Sequence, residues 1–184
     1  MILHVYTRTR LLEQQQTLEW IKQNQDLGIQ SVFAYTNQEY KYSRALIDMF
    51  NTHKAFFTLE QDIVPSAELL WSMVFCPYPL CVSNYLLYPS STLLDDAVFV
   101  NRNVTSFRDG KPLKLEWVDE NADWCDFYGL GFTAFKDDGT LFDEIRREFK
   151  PCHYSFVDHN ISTITWSHNR KAHIHHEPII HNHR

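Results

Sequence analysis

The chain has 184 residues, 44% of them hydrophobic and 15% aromatic, enough for one globular domain with a sizeable core and too apolar for a disordered chain. Its formal charge is −6 with no basic block, which argues against nucleic acid as an electrostatically held partner. No run of about 18 apolar residues occurs, which argues against a membrane-spanning helix.

The opening Met1-Ile2-Leu3-His4-Val5 reads as a strand; it lacks the charged start and cleavage site of a signal peptide. The expected location is therefore cytoplasmic. The four cysteines, Cys76, Cys81, Cys125 and Cys152, are then expected as free thiols. Cys76 and Cys81 have the proximity to share a metal but no matching second cysteine pair.

After the first strand, Met1 to Tyr6, comes a polar loop, Thr7-Arg8-Thr9-Arg10. Leu11 to about Asn24 reads as a helix, with Leu11, Leu18 and Ile21 on one face. Gly28 marks the turn out of it. Ser31 to Tyr35 is a second strand, followed by Thr36-Asn37-Gln38. Tyr42, Leu46, Met49 and Phe50 fall at helical spacing. Ala55 to Leu59 is a third, buried strand. This β-α-β-α-β order predicts an α/β fold with a central, mostly parallel sheet flanked by helices, whose loops at Thr7, Thr36 and Glu60 gather at one crevice. Neither a Gly-x-Gly-x-x-Gly turn nor a Gly-Lys-Ser/Thr element occurs, so a dinucleotide fold and a P-loop are not expected.

The third strand ends in Glu60-Gln61-Asp62, two carboxylates two residues apart. Such side chains point the same way on an extended chain, so one divalent cation could meet both. A solvated strand end carrying two acids is the plainer reading. Pro65-Ser66-Ala67-Glu68 opens a helix with Leu69, Leu70, Met73 and Val74 on its buried face, and Pro77 and Pro79 stop it. Cys81 to Leu87 reads as a fourth strand. Residues 90–123 are less regular, with short strands at Ala97–Val100 and Val104–Phe107 and a turn at Asp109-Gly110. In Phe127 to Phe135, Gly129 and Gly131 mark the start of a strand where a ligand, or an aromatic ring over a bulge, approaches the backbone closely. Leu141, Ile145 and Phe149 belong to one helix, and Val157, Ile161 and Ile164 to another.

Five of the ten histidines lie between residues 173 and 184. His173 and His175 alternate, as do His181 and His183, so each pair faces one way on an extended chain. The isoleucines between them, Ile174, Ile179 and Ile180, suit packing rather than a solvated tail, and imidazole is a common metal ligand.

In this order the motifs resemble those of small single-domain glycosyltransferase-like proteins of the GT-A (Rossmann-like) fold, found in phages, archaeal viruses and prokaryotes. An E-x-D-[IV]-V strand end is matched by Glu60 to Val64. A C-x-x-P-W-C-x-x-x-Y segment is matched by Cys76 to Tyr85, with Leu80 in place of the tryptophan. A G-L-G-[CF]-x-x-F element is matched by Gly129 to Phe135, and a hydrophobic-Asp helix start by Phe156-Val157-Asp158. An H-x-H-x-P-x-x-x-H-x-H end is matched by His173 to His183, with one added residue before Pro178. The resemblance spans residues 1–183. No Q-x-x-R-W element of processive polymerases is present.

The resemblance implies a single domain over residues 1–184. Residues 1–65 would form its nucleotide-binding half, 66–172 its acceptor half and 173–184 a histidine-rich metal-binding tail. It implies a metal-dependent glycosyltransferase that uses a nucleotide-sugar donor, a UDP-sugar, held through Mn²⁺ or Mg²⁺. The acceptor would be a glycan, a protein or a modified base, and the site host cytoplasm if the source is viral. Asp62 would bind the metal with a C-terminal histidine, His175 or His181. Glu60 would touch the metal shell or the ribose. Thr7, Arg8, Thr36 and Asn37 would hold the base, and the Gly129 and Gly131 backbone would line a sugar. Asp158 would be the catalytic base, with Asp126 second; Asp158 as a mere helix cap is the alternative. The competing functions are a metal-dependent hydrolase or nuclease with two metals about 3.5–4 Å apart, and a non-catalytic module that binds a nucleotide sugar or a metal.

Overall fold

The computed structural model describes residues 2–7, 12–24, 30–35, 40–60, 63–84, 86–87, 101–102, 104–107, 115–117, 121–153 and 156–181. The elements in chain order are β1 (Ile2–Thr7), α1 (Leu12–Gln23), β2 (Gln30–Tyr35), α2 (Lys41–Asn51), β3 (Phe56–Glu60), β4 (Ile63–Pro65) and α3 (Ala67–Phe75). They continue with β5 (Leu80–Ser83), β6 (Leu86–Leu87), β7 (Asn101–Arg102), β8 (Val104–Phe107), β9 (Leu115–Trp117), β10 (Trp124–Cys125), β11 (Phe127–Tyr128) and β12 (Phe132–Phe135). The last are α4 (Leu141–Glu148), α5 (Val157–Ser167), β13 (Ala172–His175) and β14 (Ile179–His181).

Seven strands form one open sheet in the order β10-β13-β5-β12-β3-β1-β2. β1 pairs in parallel with β2 and β3, as two helical crossovers require. β12 is antiparallel to both β3 and β5, β13 is parallel to β5, and β10 is antiparallel to β13. The sheet is therefore mixed: β1, β2, β3, β5 and β13 share one direction, whereas β12 and β10 run against their neighbours. β12 is reached through a turn from β11 rather than through a helix, and only helical crossovers enforce parallel pairing.

Strand residues alternate between two cores, one on each face. Phe56, Leu80, Val82, Phe135, Ala172 and Ile174 face α2, α4 and α5. Phe57, Leu59, Cys81, Phe132 and Ala134 face α1 and α3. This period-2 pattern packs apolar side chains on both faces of the strands, as a sheet covered on both faces demands. Helix α2 buries Tyr42, Leu46, Met49 and Phe50, the four positions spaced for one face. Phe50 meets Phe56, Phe135 and Phe142 edge-on at ring centroid distances of 5.1, 5.2 and 5.3 Å. Helix α3 starts at Ser66, whose hydroxyl accepts the Leu69 N–H at 3.1 Å. Asp138 does the same for Leu141 at the start of α4, at 2.8 Å.

The fourth sequence strand is two. β5 ends at Ser83, and β6 pairs with β7 in a separate ribbon. The stretch from Phe127 to Phe135 is also two strands, β11 and β12, split by the glycine turn. Leu11, Gly28, Ala97–Val100 and Asp109-Gly110 lie outside the described residues. All four cysteines are free thiols. No helix among the described residues is long and apolar enough to cross a membrane.

Phe50 is fully buried at the centre of the ring cluster. Phe50→Ala is expected to lower stability by about 3–5 kcal/mol through lost burial and the cavity left behind, read by urea denaturation.

Candidate active site at the carboxyl edge of the sheet

β1, β2, β3, β5 and β13 run the same way, so Thr7, Tyr35, Glu60, Ser83 and His175 end on one edge. β12 starts there, with Phe132 opposite Leu59. Ligands of open α/β sheets bind at this edge, where loops diverge and strand ends present their polar groups. Thr7, Glu60, Gly131 and His175 of the sequence candidates are on it. Arg8, Thr36, Asn37 and Asp62 lie outside the described residues.

The Gly129-Leu130-Gly131 turn joins two of the acidic candidates. The Glu60 N–H donates to the Gly131 carbonyl at 2.9 Å. The Leu130 N–H donates to the Asp158 carboxylate. Leu130 itself is fully buried in the core against α5, and the Thr133 hydroxyl holds the Gly129 carbonyl at 2.9 Å. Gly139 is the glycine with positive φ among the described residues.

Asp158 is the second residue of α5; Phe156 holds the cap position and its side chain makes no capping bond. Asp158 is thus not the helix cap. It is partly buried. Burial pushes its carboxyl up to about 6, opposed by the hydrogen bonds from Leu130 and from its own amide. The turn is anchored from α5 as well. The Tyr128 N–H donates to Ser162 Oγ at 3.3 Å, Ser162 Oγ donates to the Tyr128 carbonyl at 3.1 Å, and the Tyr128 and Thr165 hydroxyls are 3.1 Å apart. Asp126 sits elsewhere. Cys125 pairs with Ala172, which puts Asp126 beside Lys171 at the amino end of β13; Lys171 Nζ is 3.7 Å from Asp126 Oδ1.

β14 pairs antiparallel with β4, with His181 opposite Ile63, the residue that follows Asp62 in the chain. α1 fixes this ribbon: the buried Thr17 hydroxyl donates to the Ile63 carbonyl at 3.1 Å. The Ser66 N–H donates to the Pro178 carbonyl at 3.1 Å. The last histidine-bearing strand is therefore zipped to the segment leaving the Glu60-Gln61-Asp62 strand end.

His175, the other metal candidate, faces a different set of groups. It is buried, with Nε2 at 3.3 Å from His173 Nδ1 and Nδ1 at 3.0 Å from Ser72 Oγ. Cys76 Sγ lies 3.5 Å from His173 Nδ1, and Cys81 is adjacent. Burial holds the His175 imidazole down to about 4, well below its ordinary range, and pushes the Cys81 thiol up. Sequence reasoning saw each pair but not their union. The available signal was the alternation of His173 and His175, which serves as the missing second pair for Cys76 and Cys81.

No protein-family profile matches the chain, and no curated protein matches it. Among solved structures it is similar to A197 from STIV, with a TM-score of 0.64 and 15% identity over 100% of this chain and 87% of that one. It aligns less well with 4-diphosphocytidyl-2C-methyl-D-erythritol synthase from Anaerococcus prevotii, with a TM-score of 0.47 and 13% identity over 97% and 89% of the two chains. The likeness to A197 is one of fold: a mixed α/β domain with an open sheet flanked by helices.

The raised carboxyl of Asp158 has a sign in stability. An unfolded aspartate ionises near pH 4, and the folded one near pH 6. The folded state binds the proton more tightly, so the stability this group contributes is full below pH 4, falls as pH rises to about 6 and stays lost above. Asp158→Asn keeps an acceptor for the Leu130 N–H and carries no charge. It is expected to be more stable than wild type at pH 7.5 by up to about 3 kcal/mol and equal to it at pH 4. Urea denaturation at the two pH values decides; no difference at pH 7.5 contradicts the raised carboxyl of Asp158.

Proposed function

We propose that this chain is a metal-dependent glycosyltransferase of the GT-A type, moving a sugar from a UDP-sugar to an acceptor hydroxyl. The observation that carries the reading is the Gly129–Gly131 turn, hydrogen-bonded to Glu60 on one side and to Asp158 on the other. It ties a strand-end acid suited to the donor to a second acid suited to the acceptor. A carboxyl that titrates near pH 6 is matched to proton transfer near neutrality.

The cation, Mn²⁺ or Mg²⁺, would be held by Asp62 and His181; β14 lies on β4 with His181 opposite Ile63, the next residue in the chain after Asp62. When bound it neutralises charge on the diphosphate leaving group. His175 is committed to Ser72 and His173 and is left out of this set. Glu60 would reach the ribose or the cation's shell, while Thr7, Arg8, Thr36 and Asn37 hold the base. The backbone at Gly129 and Gly131, free of side chains, lets the sugar lie against the turn. Asp158 takes the proton of the acceptor hydroxyl as that oxygen bonds to the anomeric carbon. The bond from that carbon to the phosphate oxygen breaks, and its electron pair leaves with the nucleoside diphosphate. Asp126, ion-paired at the far end of β13, is not used.

Calorimetry with UDP-sugars is expected to show binding only with added Mn²⁺, lost in Asp62→Asn and His181→Ala. Asp158→Asn should keep that affinity and slow donor turnover by about 10²–10⁴-fold. Equal affinity without Mn²⁺ overturns the role of the cation. Turnover by Asp158→Asn at the wild-type rate overturns the base. Donor binding with no transfer and no donor hydrolysis by wild type favours a non-catalytic module.

A further inference from the structure

The cluster around His175 is built from three elements that the fold brings side by side. α3 ends at Phe75, and Cys76 leaves it in an extended conformation, with φ −58° and ψ 131°. Four residues separate Cys76 from Cys81, among them Pro77 and Pro79, which stiffen the connection into β5. β13 lies parallel to β5 with His173 opposite Cys81 and His175 opposite Ser83. Opposed residues of paired strands point to the same face, so Cys81, His173 and His175 all project toward α3. Cys76, at the end of α3, closes the fourth side. One donor atom from each of Cys76, Cys81, His173 and His175 lies within 4.8 Å of the others.

The spacings suit one small cation. In a tetrahedral site with bonds of about 2.3 Å to sulfur and about 2.05 Å to nitrogen, neighbouring S and N atoms are about 3.6 Å apart and two N atoms about 3.3 Å. Here Cys76 Sγ and His173 Nδ1 are 3.5 Å apart, and His173 Nδ1 and His175 Nε2 are 3.3 Å apart. We infer that Cys76, Cys81, His173 and His175 bind one Zn²⁺ in a closed tetrahedral site, separate from the donor cation at Asp62 and His181.

The ligand chemistry selects the metal. Two thiolates and two imidazoles are soft and borderline donors that favour Zn²⁺, whereas Mn²⁺ and Mg²⁺ favour oxygen. Two thiolates cancel the charge of the ion, so the loaded cluster is neutral, as a buried site requires. The groups behind the ligands fit as well. If Nε2 of His175 is on the metal, Nδ1 carries the ring proton. That nitrogen faces Ser72 Oγ at 3.0 Å and Glu177 Oε2 at 3.7 Å. Glu177 Oε2 is buried and has no hydrogen-bond partner among the described residues. A carboxylate behind a metal-bound imidazole fixes the ring and strengthens the ligand. Tyr78 and Trp124 cover His173 at ring distances of 4.8 and 5.1 Å. With four protein ligands no coordination position is open to a substrate, and the ion's role is to pin α3, β5 and β13 together.

The full chain, purified and dialysed against metal-free buffer, is expected to carry about one zinc per chain by mass spectrometry. Cys76→Ser/His173→Asn should lose at least nine-tenths of it, and Cys152→Ser should keep it. Wild-type protein reconstituted with Co²⁺ should show thiolate-to-cobalt charge-transfer absorption and the ligand-field bands of a tetrahedral ion, a readout that does not depend on any variant folding. Wild type that holds no zinc and gives no charge-transfer band with Co²⁺ overturns the site. So does full zinc content in the double variant.

Discussion

The placement of β12 is the constraint on which the rest depends. This strand runs antiparallel between β3 and β5, with Phe132 opposite Leu59 and Ala134 opposite both Phe57 and Cys81. It joins the three amino-terminal strands to β5 and β13, and without it the sheet divides into two pieces. Its side chains also stitch the two faces. Phe135 stacks on Phe56 on one face and Phe132 stacks on Phe57 on the other, at 5.1 and 5.4 Å. Because β12 runs backward, its amino end lies at the carboxyl edge of its neighbours. The turn that feeds it is thereby delivered to Glu60. A parallel strand at this position would enter from the opposite edge and carry Gly129 and Gly131 away from the site.

Sequence reading reached the elements whose signal is local. The helical spacing of Tyr42, Leu46, Met49 and Phe50 and the apolar run ending at Glu60 are properties of neighbouring residues, and the structure has both. The β-α-β order implied parallel β1, β2 and β3 for a local reason, the helical crossover. The direction of β12 and β10 was not legible, because register between distant strands depends on packing rather than on either strand's pattern. The break at Asn84 in the apolar run from Cys81 to Leu87 was hidden for a similar reason: both pieces are apolar, and pairing partners alone separate them. Asp158 stood out in sequence as a helix-start acid; that Leu130 bonds it, through a turn 28 positions earlier, appears only in three dimensions. The four-residue cysteine and histidine cluster combines two short patterns 97 positions apart, from Cys76 to His173. Each pair by itself was weak.

β13 shows how the period of a strand separates two tasks. Ala172 and Ile174 are buried against α2, α4 and α5, while His173 and His175 project toward α3. The strand then passes through Glu177 and Pro178, whose carbonyl is held by Ser66, into β14 and His181. Three imidazoles, those of His173, His175 and His181, are thus carried on one continuous segment but on two different sheets. A fixed β13 also fixes where β14 begins, since two residues of the segment, Pro178 and His175, are hydrogen-bonded to α3 or its cap. The position of His181 relative to the acidic strand end is then set by the packing of α3 on the sheet. The segment from Ala172 to His181 is thus held to the fold at both of its strands and at the turn between them.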